Sequence, residues 1–313
     1  MITKTTTGSL IFALLISILS CKKSEIARND SAVKLEINLP GSLQNPAFSP
    51  DGKTIVFTHF RNGYNEPPSD LYTFNLETKE LIPLLVNGNS NVNLPGQCWN
   101  SVLHSIIFSS EGNTDDEIYY INETGSAGDE IQITNRADSI AFEPTFSPNG
   151  EWIVFESHKL DEEGNGIITK YKLDGTSGYI NLTPLGENCK QPNWSPLGNK
   201  ILYQKEDNGQ WDIWSMNTDG SNREKITNFE GNKTDAVFSS DGLYIIFSAE
   251  TSEVEVANIY KALVSGGSPA RLTNYSGYDG APSISPDKST LIFESSSESP
   301  DEGEGTTLWK LAL

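Results

Sequence analysis

The sequence is short of histidine, sulfur and positive charge. Its 313 residues include three histidines, three cysteines and two methionines, and 22 basic residues stand against 42 acidic ones. His59, His104 and His158 are too few and too scattered to build a histidine-held metal centre, and they are expected at the surface. No loop has the alternating Asp/Asn spacing of a calcium hand. No metal or cofactor is therefore expected. The formal charge of -20 repels phosphate backbones and anionic headgroups, which argues against nucleic acid and against a peripheral grip on lipid. A Gly-x-Ser-x-Gly nucleophile elbow is missing. So is any apolar run of the about 20 residues that span a bilayer as a helix.

The longest apolar run is Leu10–Leu19, "LIFALLISIL", behind Lys4. That is the layout of a secretory signal. It ends in "ILSC", with Cys21 after the small Ser20. This resembles the lipobox of bacterial lipoproteins, which implies cleavage before Cys21 and lipidation of its thiol. Several acyl chains anchor stably where one is marginal. The expected organisation is a signal peptide over 1–20, a lipidated tether over 21–31 and a single folded unit over 32–313. Lys22 follows the lipidated cysteine. In the systems this resembles, that favours the outer membrane over the inner.

The folded unit is repetitive. "PAFSPDGKTIVF" at Pro46 returns as "GQCWNSVLHSIIF", "PTFSPNGEWIVF", "PNWSPLGNKILY", "AVFSSDGLYIIF" and "PSISPDKSTLIF". The closing aromatics Phe57, Phe108, Phe155, Tyr203, Phe247 and Phe293 lie 44 to 51 residues apart, a period typical of repeat architectures. Within each unit Ser-Pro-Asp-Gly is hairpin chemistry. Proline presets φ, and Asp-Gly tolerates positive φ. A third strand follows ("DLYTFN", "EIYYIN", "DIWSMN"), and a fourth closes most units ("IQITN", "EKITN", "ARLTN"). No helical period of useful length intervenes. Six such units predict an all-β fold, a six-bladed β-propeller of four-stranded antiparallel blades. The sixth unit stops after its third strand, so Ala32–Pro40 is expected to supply the fourth and latch the ring. Cys98 and Cys189 then fall in non-adjacent blades and are expected as buried, unpaired thiols.

These repeats resemble the TolB-like propeller family, found in periplasmic TolB, in many bacterial lipoproteins and in the propeller domains of prolyl-oligopeptidase-type peptidases. The resemblance covers residues 32–313 and is weakest in the second unit, where "WNSVLHS" lacks proline, aspartate and glycine. TolB proper carries an α/β domain before its propeller, and the peptidases add a hydrolase domain. The resemblance therefore implies neither a role in the Tol–Pal system nor hydrolysis.

Two sets of residues are candidates for function. Asn45, Gln97, Glu143, Gln191, Asp235 and Asp279 are read as one polar group per blade around the central channel, where a propeller holds a ligand. The loops after the second strands are acidic, with Glu156, Asp161, Glu162 and Glu163 in blade three, Glu253 and Glu255 in blade five, and Glu294, Asp301, Glu302 and Glu304 in blade six. They would present a negative face to a basic partner. The expected function is a non-enzymatic envelope scaffold that binds a protein or peptide. The alternatives are a glycan or small molecule at the channel mouth, for which Tyr64, Tyr275 and Tyr278 would be stacking groups, or a glycan lyase or hydrolase using the channel carboxylates.

Overall fold

The computed structural model describes residues 28–313, apart from Asn89, 112–114, 161–164, 252–253, 297–304 and the side chains of Val254 and Glu255. Six antiparallel sheets follow one another along the chain and close into a ring. The third blade is typical, with strands Ser139–Phe146, Trp152–Lys159, Ile167–Lys172 and Ile180–Asn181 running from the channel outwards. The second strands are buried on both faces because blades stack face to face. All six closing aromatics, Phe57 to Phe293, have no exposed surface.

The hairpin turns follow the motif. Ser49 Oγ donates to Asp51 Oδ1 at 2.6 Å and accepts the Thr54 N–H at 3.0 Å. Ser147 with Asn149, Ser239 with Asp241 and Ser285 with Asp287 repeat the first bond. The turn position that Gly52 holds at φ 73° is Lys288 in blade six, also with positive φ; in blade two the positive φ falls one position later, at His104. The outer strands are only two residues long in blades two to five. Threonine extends them, since Thr134, Thr183, Thr227 and Thr273 each accept a third-strand N–H through the hydroxyl at 2.8–3.0 Å.

Ring closure is as expected in kind and shorter in extent. Only Val33–Lys34 pairs with the last strand, Thr306–Ala312, followed by one more bond from Leu35 N to Leu308 O. A clasp reinforces it. Arg28 forks onto Asp279 (2.6 and 3.2 Å) and lies between the rings of Tyr275 (4.3 Å) and Trp309 (4.5 Å). The leader and Cys21 lie outside the described residues. Cys98 and Cys189 are buried and unpaired.

Candidate functional site: an acidic channel mouth

Five of the six inner strands carry a bulge where they line the channel. Pairing with the second strand slips at Gln44/Ala47, Phe142/Thr145, Lys190/Asn193, Thr234/Val237 and Gly280/Ser283. The bulge residues Asn45, Glu143, Gln191, Asp235 and Ala281 all have φ between 45° and 54°. This left-handed conformation is uncommon for residues other than glycine, and it is costlier still before a proline, which follows in four of the five. Five strained positions around one channel mark it as a place where side-chain direction matters more than backbone comfort.

The bulges correct two of the six expected ring positions. In blade six the ring residue is Ala281, because the bulge lies two residues beyond Asp279. Asp279 instead points to the Arg28 clasp and is fully buried. In blade two the inner strand is split into Val92–Asn93 and Trp99–Asn100. Gly96, and not Gln97, lies with the other ring residues around a small cavity of about 20 Å³, room for about one water. Gln97 lines the opposite mouth.

Three of the four remaining ring residues are tied to a neighbouring blade. Asn45 Nδ2 donates to Asn93 Oδ1 at 2.8 Å. Gln191 Nε2 donates to Asp235 Oδ1, and Gln191 Oε1 accepts the Asp235 N–H, both at 3.0 Å. Two second-strand carboxylates add further ties. Glu156 Oε2 accepts the Gln191 N–H at 3.1 Å, and Glu294 Oε2 accepts the Asn45 N–H at 3.0 Å. From sequence both are expected in the loops after the second strands. They lie inside the second strands Trp152–Lys159 and Thr290–Ser296, whose pairing continues past them before the acidic runs begin. Glu143 differs from the rest. Among the described residues its carboxylate makes no hydrogen bond, and it faces Glu156, Asp235 and Glu294.

Burial, followed by repulsion from those three carboxylates, pushes the Glu143 pKa well above the usual range. Glu294 is pushed up to about 7, chiefly by burial, against the opposing hydrogen bond from Asn45 and with Asp235 adding repulsion. The lysine and arginine ion pairs among the described residues lie elsewhere, on Asp30, Asp70, Asp174, Glu187, Asp212, Asp241 and Asp279. Among the described residues, His158 is bonded through Nε2 to Glu156 of this set. His158 and the buried His59 overturn the expectation of surface histidines; only His104 is exposed. His59 is held by Pro40 O at 2.5 Å.

Two of the three expected aromatics stand at this mouth. Tyr278 donates to Glu294 Oε1 at 3.0 Å, and Tyr64 reaches the same oxygen at 3.4 Å. Their rings meet edge to face at 6.3 Å, with Tyr64 exposed. Tyr275 is buried against Arg28. The eight loop acids Asp161, Glu162, Glu163, Glu253, Glu255, Asp301, Glu302 and Glu304 lie outside what is described. Among the described residues no group of three or more histidine, cysteine or carboxylate side chains is placed to hold a metal ion.

The fold and site together define a closed six-bladed propeller with an anionic channel mouth. Its repeats are similar to those of TolB-like propellers. Residues 183–302 match the TolB beta propeller domain. The Tol-Pal system protein TolB of Francisella tularensis subsp. holarctica is 28% identical over 190 residues, 60% of this chain and 41% of that protein. The match thus spans about two fifths of that relative. Among solved structures, TolB from Acinetobacter baumannii superposes with a TM-score of 0.62 at 17% identity, covering 87% of this chain and 64% of that one. An oligogalacturonate lyase in complex with manganese gives 0.57 at 14% identity, covering 87% and 77%. At such identities these two structures speak to the fold alone.

Proposed function

We propose that the protein is an envelope lipoprotein, lipidated at Cys21 and seated in the outer membrane, whose propeller is a non-enzymatic scaffold for a protein or peptide. One observation carries the reading. Four carboxylates, Glu143, Glu156, Asp235 and Glu294, share a channel mouth with no lysine or arginine of the described chain beside them. Buried charges are ordinarily paired. A cationic group brought by a partner supplies the missing charge, and the Tyr64 and Tyr278 rings give it an aromatic wall. Glu143 is the contact residue in this reading because its carboxylate is uncommitted. The acidic loops would steer the partner in, and the TolB resemblance supports a partner from the envelope.

The test is mild crosslinking of the lipidated protein in its own membranes, with captured proteins read by mass spectrometry. Glu143→Gln and a variant neutralised at Asp161, Glu162, Glu163, Asp301, Glu302 and Glu304 are run beside it. A dominant partner that is weakened by Glu143→Gln and captured more slowly by the loop variant is expected. Capture unchanged in both variants would overturn this site as the interface. Turnover of a glycan with a bell-shaped pH profile, abolished by Glu143→Gln, would replace the scaffold with an enzyme.

A further inference from the structure

The two mouths of the channel differ in chemistry. The acidic mouth ends at a pinch, where a β-carbon built on Gly96 would lie 3.0 Å from Val237 Cγ1, in the blade opposite. Gly96 and Val237 border the cavities on both sides of it. Beyond the pinch the channel widens into a funnel of about 300 Å³ at the face of the hairpin turns. Its wall repeats one position of the motif six times, as Phe48, Trp99, Phe146, Trp194, Phe238 and Ile284. On a chain of net charge -20, no residue of this wall is charged.

The motif hydroxyls at this mouth are spent within the fold. Ser49 and Ser147 bond their own turns, Ser283 accepts the Phe48 N–H at 3.1 Å, and the Trp99 indole donates to Ala47 O at 3.2 Å. Two polar groups of the wall are not spent. Neither the Trp194 indole N–H nor Gln97 Oε1 has a partner, and both atoms are shut off from solvent. An orphaned donor and an orphaned acceptor in one apolar wall are both unfavourable. Gln97 is only half-buried; meeting an occupant requires rotation of its last torsion and a tilt of the Trp194 indole toward the funnel. An occupant with one carbonyl and one N–H would relieve both groups while burying an apolar body among the five rings and Ile284. A charged ligand finds no counter-ion here. A sugar finds too few free partners for its hydroxyls.

We propose that this funnel is a second binding site, independent of the acidic mouth, for a small neutral molecule with an apolar body and one amide-like group. The volume admits roughly a dozen non-hydrogen atoms at protein packing density. The floor at Gly96 and Val237 prevents the ligand from passing through, so an end group enters the funnel and stops there.

The test follows the six tryptophan indole N–H resonances of ¹⁵N-labelled protein during titration with N-benzylacetamide. Trp194 is assigned by Trp194→Phe. The expected result is saturable binding with a downfield shift of the Trp194 resonance. Trp194→Phe and Gln97→Leu should each weaken the amide roughly fivefold more than they weaken ethylbenzene, the value of one hydrogen bond. Thermal melts establish that both variants are folded. Absence of saturable binding up to the solubility of the amide overturns the site. Equal weakening of amide and ethylbenzene overturns the role of the two polar groups. A capped pentapeptide with a central phenylalanine that binds more tightly than the free amide overturns the small-molecule assignment.

Discussion

Glu294 makes the acidic mouth a source of pH-dependent instability, and Glu294→Gln should remove it. Burial and neighbouring Asp235 raise the Glu294 pKa from its ordinary 4.5 to about 7. The folded protein therefore holds this proton more tightly than the unfolded chain. The resulting stabilisation is complete below about pH 4.5 and is lost as pH rises through about 7. A shift of this size corresponds to about 3 kcal/mol. Glutamine fits the same bonds. Its carbonyl accepts the Asn45 N–H, and its amide donates to the Tyr64 and Tyr278 oxygens, which now stand 3.4 and 3.0 Å from the carboxylate. At pH 5 variant and parent should be nearly equal in stability. At pH 8 the variant should be more stable by up to about 3 kcal/mol, or about 6 °C in melting temperature for a chain of this size. The assay is urea and thermal unfolding of both proteins from pH 5 to 8.5. Asp116, raised to about 6 by burial and nearby acids, titrates in both proteins and cancels in the difference. Stability curves that run parallel across the range would refute the claim that the charge at Glu294 is uncompensated.

Three further outcomes are expected. Arg28→Ala leaves the buried Asp279 without its fork and should cost about 3–5 kcal/mol; Arg28→Lys should recover only part of this, because it restores charge without the planar stack on Tyr275 and Trp309. Both are read by denaturant unfolding and by protease cleavage near the N-terminus. Gly96→Ala should cost about 1–3 kcal/mol through its clash with Val237, and adding Val237→Ala should relieve most of that in a double-mutant cycle; additive losses would mean that the two residues do not meet. Cys98 and Cys189, whose thiols are pushed up by burial (Cys189 to about 12), should resist alkylation in the folded protein and react on unfolding, as peptide mass spectrometry would show.

The fold was legible because the repeat is written in turn chemistry. Ser-Pro-Asp-Gly sets a hairpin in almost any context, and six copies leave few architectures open. Even the missing last strand could be located, although its two-residue length could not, since the chain after Leu35 leaves the ladder for local bonds from Ile37 N to Leu35 O and from Leu39 N to Ile37 O. The site was harder to read. Counting back from the proline locates the ring in blades one, three and four. It fails in blade two, where the inner strand is split, and in blade six, where the acidic Asp279 drew the assignment away from the alanine before Pro282. Glu156 and Glu294 were hidden for another reason. Alternation along a strand does not tell channel from neighbouring blade when both sides are buried. Their role appears only once the bulges bring the next blade's amide N–H groups within reach. One signal was present in the sequence, namely a glutamate immediately after the closing aromatic of blades three and six, where the other blades carry threonine, serine or glutamine.

The Arg28 clasp also decides how the ring responds to force. A pull on the chain ahead of residue 28 reaches the guanidinium first, together with the bonds that Asn29 and Asp30 exchange with Asn274 at 2.8 and 2.7 Å. Tension therefore enters the body of the propeller through blades five and six. The closing strand Val33–Lys34 lies beyond the grip, slack under load. A two-residue strand pulled directly would peel away bond by bond and open the seam between first and last blades. Behind the clasp, the seam fails only after an ion pair held between two aromatic rings has first been pulled apart.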